Sequence, residues 1–261
     1  MLKKRLIFTL IYDSGYFCLS RNFRLQKVGD LKWLRKNYNF DYISNYIDEL
    51  IVLDVTRKNR NLDTFSKILK ELTEYIFIPI SSGGGIKTSK EAKLLLDSGA
   101  DKIVINSEIF ERPEFIKELS KEHGSQCIVG SFDLKKISKD FYFYINNGRK
   151  KVTNNIKDIN QKYLSLPFGE IILHSIDKEG TGQGFEFEIL NLINKEINKP
   201  IIISGGAGNN KHLLSGLAHE RVDAVCTSHL FNFVGDGLKL ARQSAINNNI
   251  PIPAWGNQLL T

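Results

Sequence analysis

Short runs rich in Ile, Val and Leu alternate along this chain with segments of helical spacing. The runs are Leu6–Ile11, Glu49–Asp54, Phe77–Ser81, Lys102–Ile105, Cys127–Phe132, Glu170–Ile176, Pro200–Ser204 and Val222–Cys226. They show little inside/outside alternation, which suits parallel strands buried on both faces. Between them, Leu62, Phe65, Ile68, Leu69 and Leu72 fall on one face of a helix. Thr88 with Glu91 has the spacing of a capping box, and Pro113 suits a first helical turn. Eight such strands with helices between them predict an α/β fold, a single (β/α)8 TIM barrel. No flexible linker divides the sequence, so residues 1–261 are expected to form one domain.

Two stretches interrupt the alternation. Residues 13–30 are too long for a plain turn and read as a mobile active-site loop. Residues 140–152 read as a hairpin, with Phe141-Tyr142-Phe143-Tyr144 leading to an Asn147-Gly148 turn.

The segment from Pro79 to Phe110 aligns without a gap on Pro200 to Phe231, and at the same offset Glu49 falls on Glu170. This is the mark of two half-barrels of four strands each. In each half a glycine cluster, Gly83-Gly84-Gly85 or Gly205-Gly206 with Gly208, follows a strand and precedes a helix. Such a turn presents backbone N–H groups to an anion. One strand later Asn106-Ser107 and Thr227-Ser228 supply side-chain donors. Gly84, Gly85, Gly205 and Gly206 with these four residues are therefore expected to hold the two ends of a twice-phosphorylated small molecule. The competing reading is that the glycines only permit tight turns.

Composition narrows the classes. At 42% hydrophobic and 25% charged residues the chain can bury a large core. A formal net charge of +7, scattered rather than blocked, favours anionic ligands or acidic partner surfaces. No nucleic-acid-binding motif accompanies it, so no nucleic-acid partner is expected. Cys18, Cys127 and Cys226 are too few and too far apart for a disulfide framework. Cys127 and Cys226 read as buried strand residues in a reducing compartment. The basic start precedes only a short apolar run, and no segment reaches transmembrane length. A cytoplasmic protein without membrane insertion is expected. His123, His174, His212, His219 and His229 lack metal-ligand spacing, so neither metal nor cofactor is expected. His212 and His219 read as solvated surface and Trp33 as core. His174 either faces the barrel interior near a ligand or fills the core.

Lys4-Arg5-Leu6-Ile7, Asn22-Phe23, Ile47-Asp48-Glu49-Leu50, Gly83-Gly84-Gly85-Ile86 and Gly99-Ala100-Asp101-Lys102 carry a resemblance. Phe132-Asp133-Leu134-Lys135, Ser175 to Thr181 and Ser204 to Gly208 extend it over about the whole chain. The sequence resembles the cyclase subunit of imidazole glycerol phosphate synthase. The resemblance implies a barrel that takes ammonia from a glutaminase partner docked on its N-terminal face. It also implies closure of an imidazole ring, release of an aminoimidazole ribotide, and Gly180 as a further phosphate-binding residue.

Such cyclases move protons with two aspartates, at the ends of strands one and five. Asp133 matches the second, but Ile11 stands where the first is expected. Asp13, two residues on and of the same strand parity, is the candidate substitute. Leu19 stands where the following loop is expected to carry a basic residue. The four residues that gate ammonia at the barrel floor persist as Arg5, Glu49, Lys102 and Glu170, and Asp101 matches a residue that contacts the glutaminase. This combination is most like a divergent branch from bacterial surface-polysaccharide biosynthesis. In that branch ammonia passes to a sugar amidotransferase that makes acetamidino sugars. An active cyclase of histidine biosynthesis and an inert scaffold are the alternatives.

Overall fold

The computed structural model describes residues 3–37, 40–153, 159–228 and 236–253. The repeat residue Phe231 and His229 lie outside them. Eight parallel strands close into a barrel: β1 (Arg5–Asp13), β4 (Glu49–Asp54), β5 (Ile80–Gly83), β6 (Lys102–Ile105), β7 (Ile128–Ile137), β10 (Glu170–Ser175), β11 (Ile201–Ser204) and β12 (Ala224–Thr227). The wall runs in that order from β1 to β12, which pairs back with β1. The (β/α)8 expectation holds. Each strand of the second half stands four places around the barrel from its counterpart in the first.

The barrel wall divides the apolar residues into two clusters. Side chains such as Leu6, Leu50, Ile103, Phe132 and Leu173 point outward and pack under the helices. Ile7, Ile51, Val104, Val129, Ile172 and Ile202 point inward and fill the bore. Strand alternation is therefore present, but both sides are dry, which is why the runs look continuously apolar. The helix Leu62–Thr73 buries Phe65, Leu69 and Leu72, and Asn61 caps it by accepting from Thr64 N at 2.9 Å. Thr88 and Glu91 form the expected capping box of the helix Ser89–Asp97, and Pro113 opens the helix Pro113–His123.

Several expectations need correction. Residues 13–30 are not a loop but an antiparallel hairpin, β2 (Tyr16–Arg21) and β3 (Arg24–Gly29), which continues from β1. In the same way β7 runs on to Ile137 and pairs with β8 (Asp140–Ile145), which pairs with the short β9 (Lys150–Lys151). The second hairpin was expected, although its partnership with β7 was not. Each half-barrel thus opens with a long strand feeding a hairpin over the mouth. Phe77 is 89% exposed ahead of β5, because the strand starts only after Pro79, which has no N–H to donate. Cys127 is half-buried in a 3-10 turn rather than in a strand, while Cys226 is buried as expected. After β10 a 3-10 segment, Phe187–Leu192, replaces a regular helix. His212 and His219 are half-buried, and each accepts a backbone N–H, from Gly208 at 3.3 Å and Arg221 at 3.2 Å.

The helix Gly237–Asn247 is tied to the barrel by one buried charge. Arg242 Nη2 lies 2.6 Å from Asp48 Oδ2, which also accepts from Leu6 N at 2.8 Å. Removing one partner strands the other in an apolar setting. Arg242→Met is expected to cost about 3–5 kcal/mol in urea unfolding. Adding Asp48→Asn to it should recover about half of that loss. Additive losses from the two changes would show that the pair is not coupled.

Candidate functional site at the barrel mouth and floor

At the floor, β1, β4, β6 and β10 each place one charged residue inward at their first position. Arg5 donates to Glu49 at 3.0 Å and to Glu170 at 2.6 and 3.1 Å. Lys102 donates to Glu49 at 2.9 Å and to Glu170 at 2.7 Å. The ring closes on itself, and the Ser81 hydroxyl of β5 donates to the remaining oxygen of Glu49. Burial alone works against the charges of Arg5, Lys102 and Glu170, but their partners more than offset it. Glu170 is held below the usual carboxylate range, and Lys102 and Arg5 above their ordinary values. The Glu170 contribution to stability is therefore lost as pH falls through its depressed pKa. The Lys102 contribution is lost only as pH rises through a value above about 10.4. Asp101, exposed beside Lys102, accepts from Ile80 N at 2.8 Å and so also braces the start of β5.

At the mouth two adjoining cavities, about 210 and 290 Å³, share His174, Glu179 and Ser204. The first brings together Gly84, Gly85, Asn106, Ser107 and Asp133, with Ile11 on its wall. The second gathers Gly180, Gly205, Gly206, Thr227 and Ser228. Both glycine turns depend on the missing side chain. A Cβ on Gly84 would meet Asp54 O at 1.9 Å, and one on Gly205 would meet Ser175 O at 2.5 Å. Each turn crosses the carboxyl end of the neighbouring strand at positive φ, so the repeat seen in the sequence is also present in the geometry.

The expected side-chain donors are partly committed. Asn106 Nδ2 donates to Ser131 O at 2.9 Å, and Thr227 Oγ1 to Ala207 O at 3.1 Å. Ser107 Oγ accepts from Asn146 N at 3.0 Å, which ties the second hairpin to the segment just after β6. Arg21 and Arg24 of the first hairpin line the second cavity, and Arg57 and Lys87 line the first. None of these four was picked out in the sequence, since nothing in a scattered basic composition marks them.

The first hairpin turns at Asn22-Phe23, both at positive φ. This is the backbone of a two-residue hairpin turn, strained for a phenylalanine. The strain is held by neighbours. Asn22 Nδ2 donates to Ile176 O and Asp177 O at 2.9 Å, Phe23 N donates to Glu179 Oε2 at 3.1 Å, and Arg57 donates to Phe23 O at 2.7 Å. The Phe23 ring also fills the space beside Gly148, so the two hairpins meet over the cavity.

Asp133 lines the first cavity from β7. Burial, and then the charge of Glu179, push its carboxyl up to about 7. Burial also raises Glu179, partly offset by Ser20 and by the N–H groups of Phe23 and Asn22. Asp13 accepts from Ser14 Oγ at 3.0 Å and is not among the residues lining the cavity. It does not take the place of a carboxylate at Ile11. Glu179 lies within the Ser175–Thr181 motif but was not singled out. Among the described residues no cluster of His, Cys, Asp or Glu is arranged to hold a metal ion, and no helix is long and apolar enough to cross a membrane.

The histidine biosynthesis protein family matches residues 37–234. The chain belongs to this family. It is 48% identical over 256 residues to a protein of Parasynechococcus marenigrum (strain WH8102), provisionally named imidazole glycerol phosphate synthase subunit hisF2, covering 98% of this chain and 95% of that one. It is 35% identical over 235 residues to imidazole glycerol phosphate synthase subunit HisF of Streptococcus sanguinis (strain SK36), covering 89% and 92%. To the HisF subunit of Hydrogenobaculum sp. (strain Y04AAS1) it is 34% identical over 254 residues, covering 97% and 99%. The chain is thus a HisF-like, cyclase-subunit-like barrel.

The raised pKa of Asp133 gives a stability test. Folding favours its protonated form, a contribution fully present below the unfolded pKa of about 3.9 and lost as pH rises through the folded value. Asp133→Asn should therefore be more stable than the parent at pH 8, by about 1–3 kcal/mol once screening at the open mouth is allowed for. Urea titrations at pH 8 and pH 5 should show this gap shrinking at the lower pH. A gap independent of pH would mean that the carboxyl titrates normally.

Proposed function

We propose that this barrel receives ammonia from a glutaminase subunit docked on its N-terminal face and passes it on to a separate acceptor. The observation that carries this reading is the contrast between floor and mouth. The floor keeps all four charges of the gate in one hydrogen-bonded ring. The mouth has Ile11 on the cavity wall where ring closure needs a second carboxylate. An isoleucine neither takes nor gives a proton.

The apolar packing of the bore above the ring favours a small neutral molecule over an ion. The bore is lined by Ile7, Ile51, Val104, Val129, Ile172 and Ile202, and an ammonium ion would be stripped of water there without a partner. Asp101 and the exposed Phe77 belong to the N-terminal face on which the glutaminase would sit. The acceptor in this reading is a sugar amidotransferase that converts an acetamido to an acetamidino group for surface polysaccharide, in the cytoplasm. At the mouth, Gly84, Gly85, Asn106 and Ser107 form one anion site and Gly180, Gly205, Gly206, Thr227 and Ser228 the other. Together they would hold a twice-phosphorylated small molecule.

One observation favours a second reading, an active cyclase of histidine biosynthesis. Asp133 is poised near neutral pH, as a group that serves as base and then acid should be, and Glu179 lies in the same cavity. Turnover of the purified barrel with the histidine-pathway ribulosyl substrate and excess ammonium salt separates the two. The expected result is aminoimidazole ribotide formed at least about 10³-fold more slowly than by a barrel with both aspartates, as for loss of a principal acid–base group. A rate within about tenfold of such a barrel would make this protein a cyclase and remove the need for another acceptor.

A further inference from the structure

His174 stands on β10 in register with Asp133 of β7 and lines both cavities at the mouth. Its Nδ1 lies 3.0 Å from Ser204 Oγ on β11. Its Nε2 is buried and has no hydrogen-bond partner among the described residues. Phe23 stacks on the ring, with centroids 5.5 Å apart and planes 23° apart. Burial pulls its pKa down to about 4, so the ring is neutral near pH 7 and carries one N–H and one bare nitrogen.

The ring is fixed from behind. Ser204 meets the Cys226 thiol of β12, and that thiol lies 2.8 Å from Thr9 Oγ1 of β1. Hydroxyl, thiol, hydroxyl and imidazole thus link four neighbouring strands across the floor of the cavity. The chain of contacts ends at Nε2. A residue that merely fills space would be apolar and would leave no buried nitrogen unpaired. An orphaned buried nitrogen calls for a partner that arrives from elsewhere.

The two glycine turns lie on opposite halves of the barrel, and His174 borders the cavity beside each of them. A ligand spanning the turns passes over its ring. We propose that His174 Nε2 is the hydrogen-bonding contact for a hydroxyl in the uncharged middle of a twice-phosphorylated sugar. This rests on the reading of the glycine turns as anion sites. A hydroxyl both donates and accepts, so it satisfies Nε2 in whichever tautomer Ser204 selects. The ring therefore reads the sugar and not its phosphates.

The test uses ribulose 1,5-bisphosphate and inorganic phosphate as probes, with calorimetry on the whole chain. His174→Leu should weaken binding of the sugar bisphosphate about tenfold, the upper end of a neutral hydrogen bond, and leave inorganic phosphate unaffected. His174→Gln places an amide nitrogen near the position of Nε2 and should bind within about threefold of the parent. In the parent labelled with ¹⁵N-histidine, the Nε2 resonance of His174 should move with the sugar bisphosphate and stay put with inorganic phosphate, a readout that depends on no variant folding. Equal affinity of the parent and His174→Leu, or a stationary Nε2 resonance at saturation, would overturn the proposal. A parent that binds neither probe would instead overturn the anion-site reading, and this proposal with it.

Discussion

The ring of Arg5, Glu49, Lys102 and Glu170 is the constraint on which the rest of the barrel depends. Four charges taken largely out of water on four different strands are tolerable only if each finds its partners. A slip of β1, β4, β6 or β10 by one residue would turn its charge outward under the helices and break the ring. The ring therefore fixes register. With register fixed, Ile7, Ile51 and Ile172 stack above it, and Ile11, Asp133 and His174 arrive at the mouth. The lower end sets what the upper end can present.

The mouth is built twice from one plan and then made unequal. Both halves carry a glycine turn crossing a strand end, and both send a hairpin over the cavity. The first half adds Asn106, Ser107 and Arg57. The second adds Arg21 and Arg24 from the hairpin of the first. Asp133 and Glu179 share one cavity, where burial and mutual repulsion raise the Asp133 carboxyl toward neutrality. On the opposing wall Ile11 contributes only shape. Under the proposed reading, Asp133 is the one carboxylate left of the expected pair.

The barrel was legible in the sequence because its strands are apolar on both faces and its glycine turns repeat. The first hairpin was not. Tyr16–Arg21 buries only Phe17 and Cys18, Arg24–Gly29 buries nothing fully, and the polar residues Arg21, Arg24, Gln26 and Lys27 within them read as a loop. Its turn, Asn22-Phe23, looks unlike a turn because phenylalanine rarely adopts positive φ, and distant partners, Ile176, Asp177, Glu179 and Arg57, hold it there. Phe77 was misplaced for the opposite reason, since an aromatic beside isoleucines imitates a strand. The ring and Asp133 were found by resemblance. Strand parity alone could have turned His174 inward with Glu170 and Ile172, but its unpaired nitrogen needs coordinates.

The central claim is that ammonia released by a glutaminase travels inside the barrel to an acceptor beyond it. The most direct measurement reconstitutes the barrel with the glutaminase subunit and the sugar amidotransferase, supplying glutamine labelled with ¹⁵N in its amide and unlabelled ammonium in the medium. The account predicts an acetamidino product that carries mostly ¹⁵N. A product with the isotopic composition of the medium would show that ammonia reaches the acceptor through bulk water, and would contradict it.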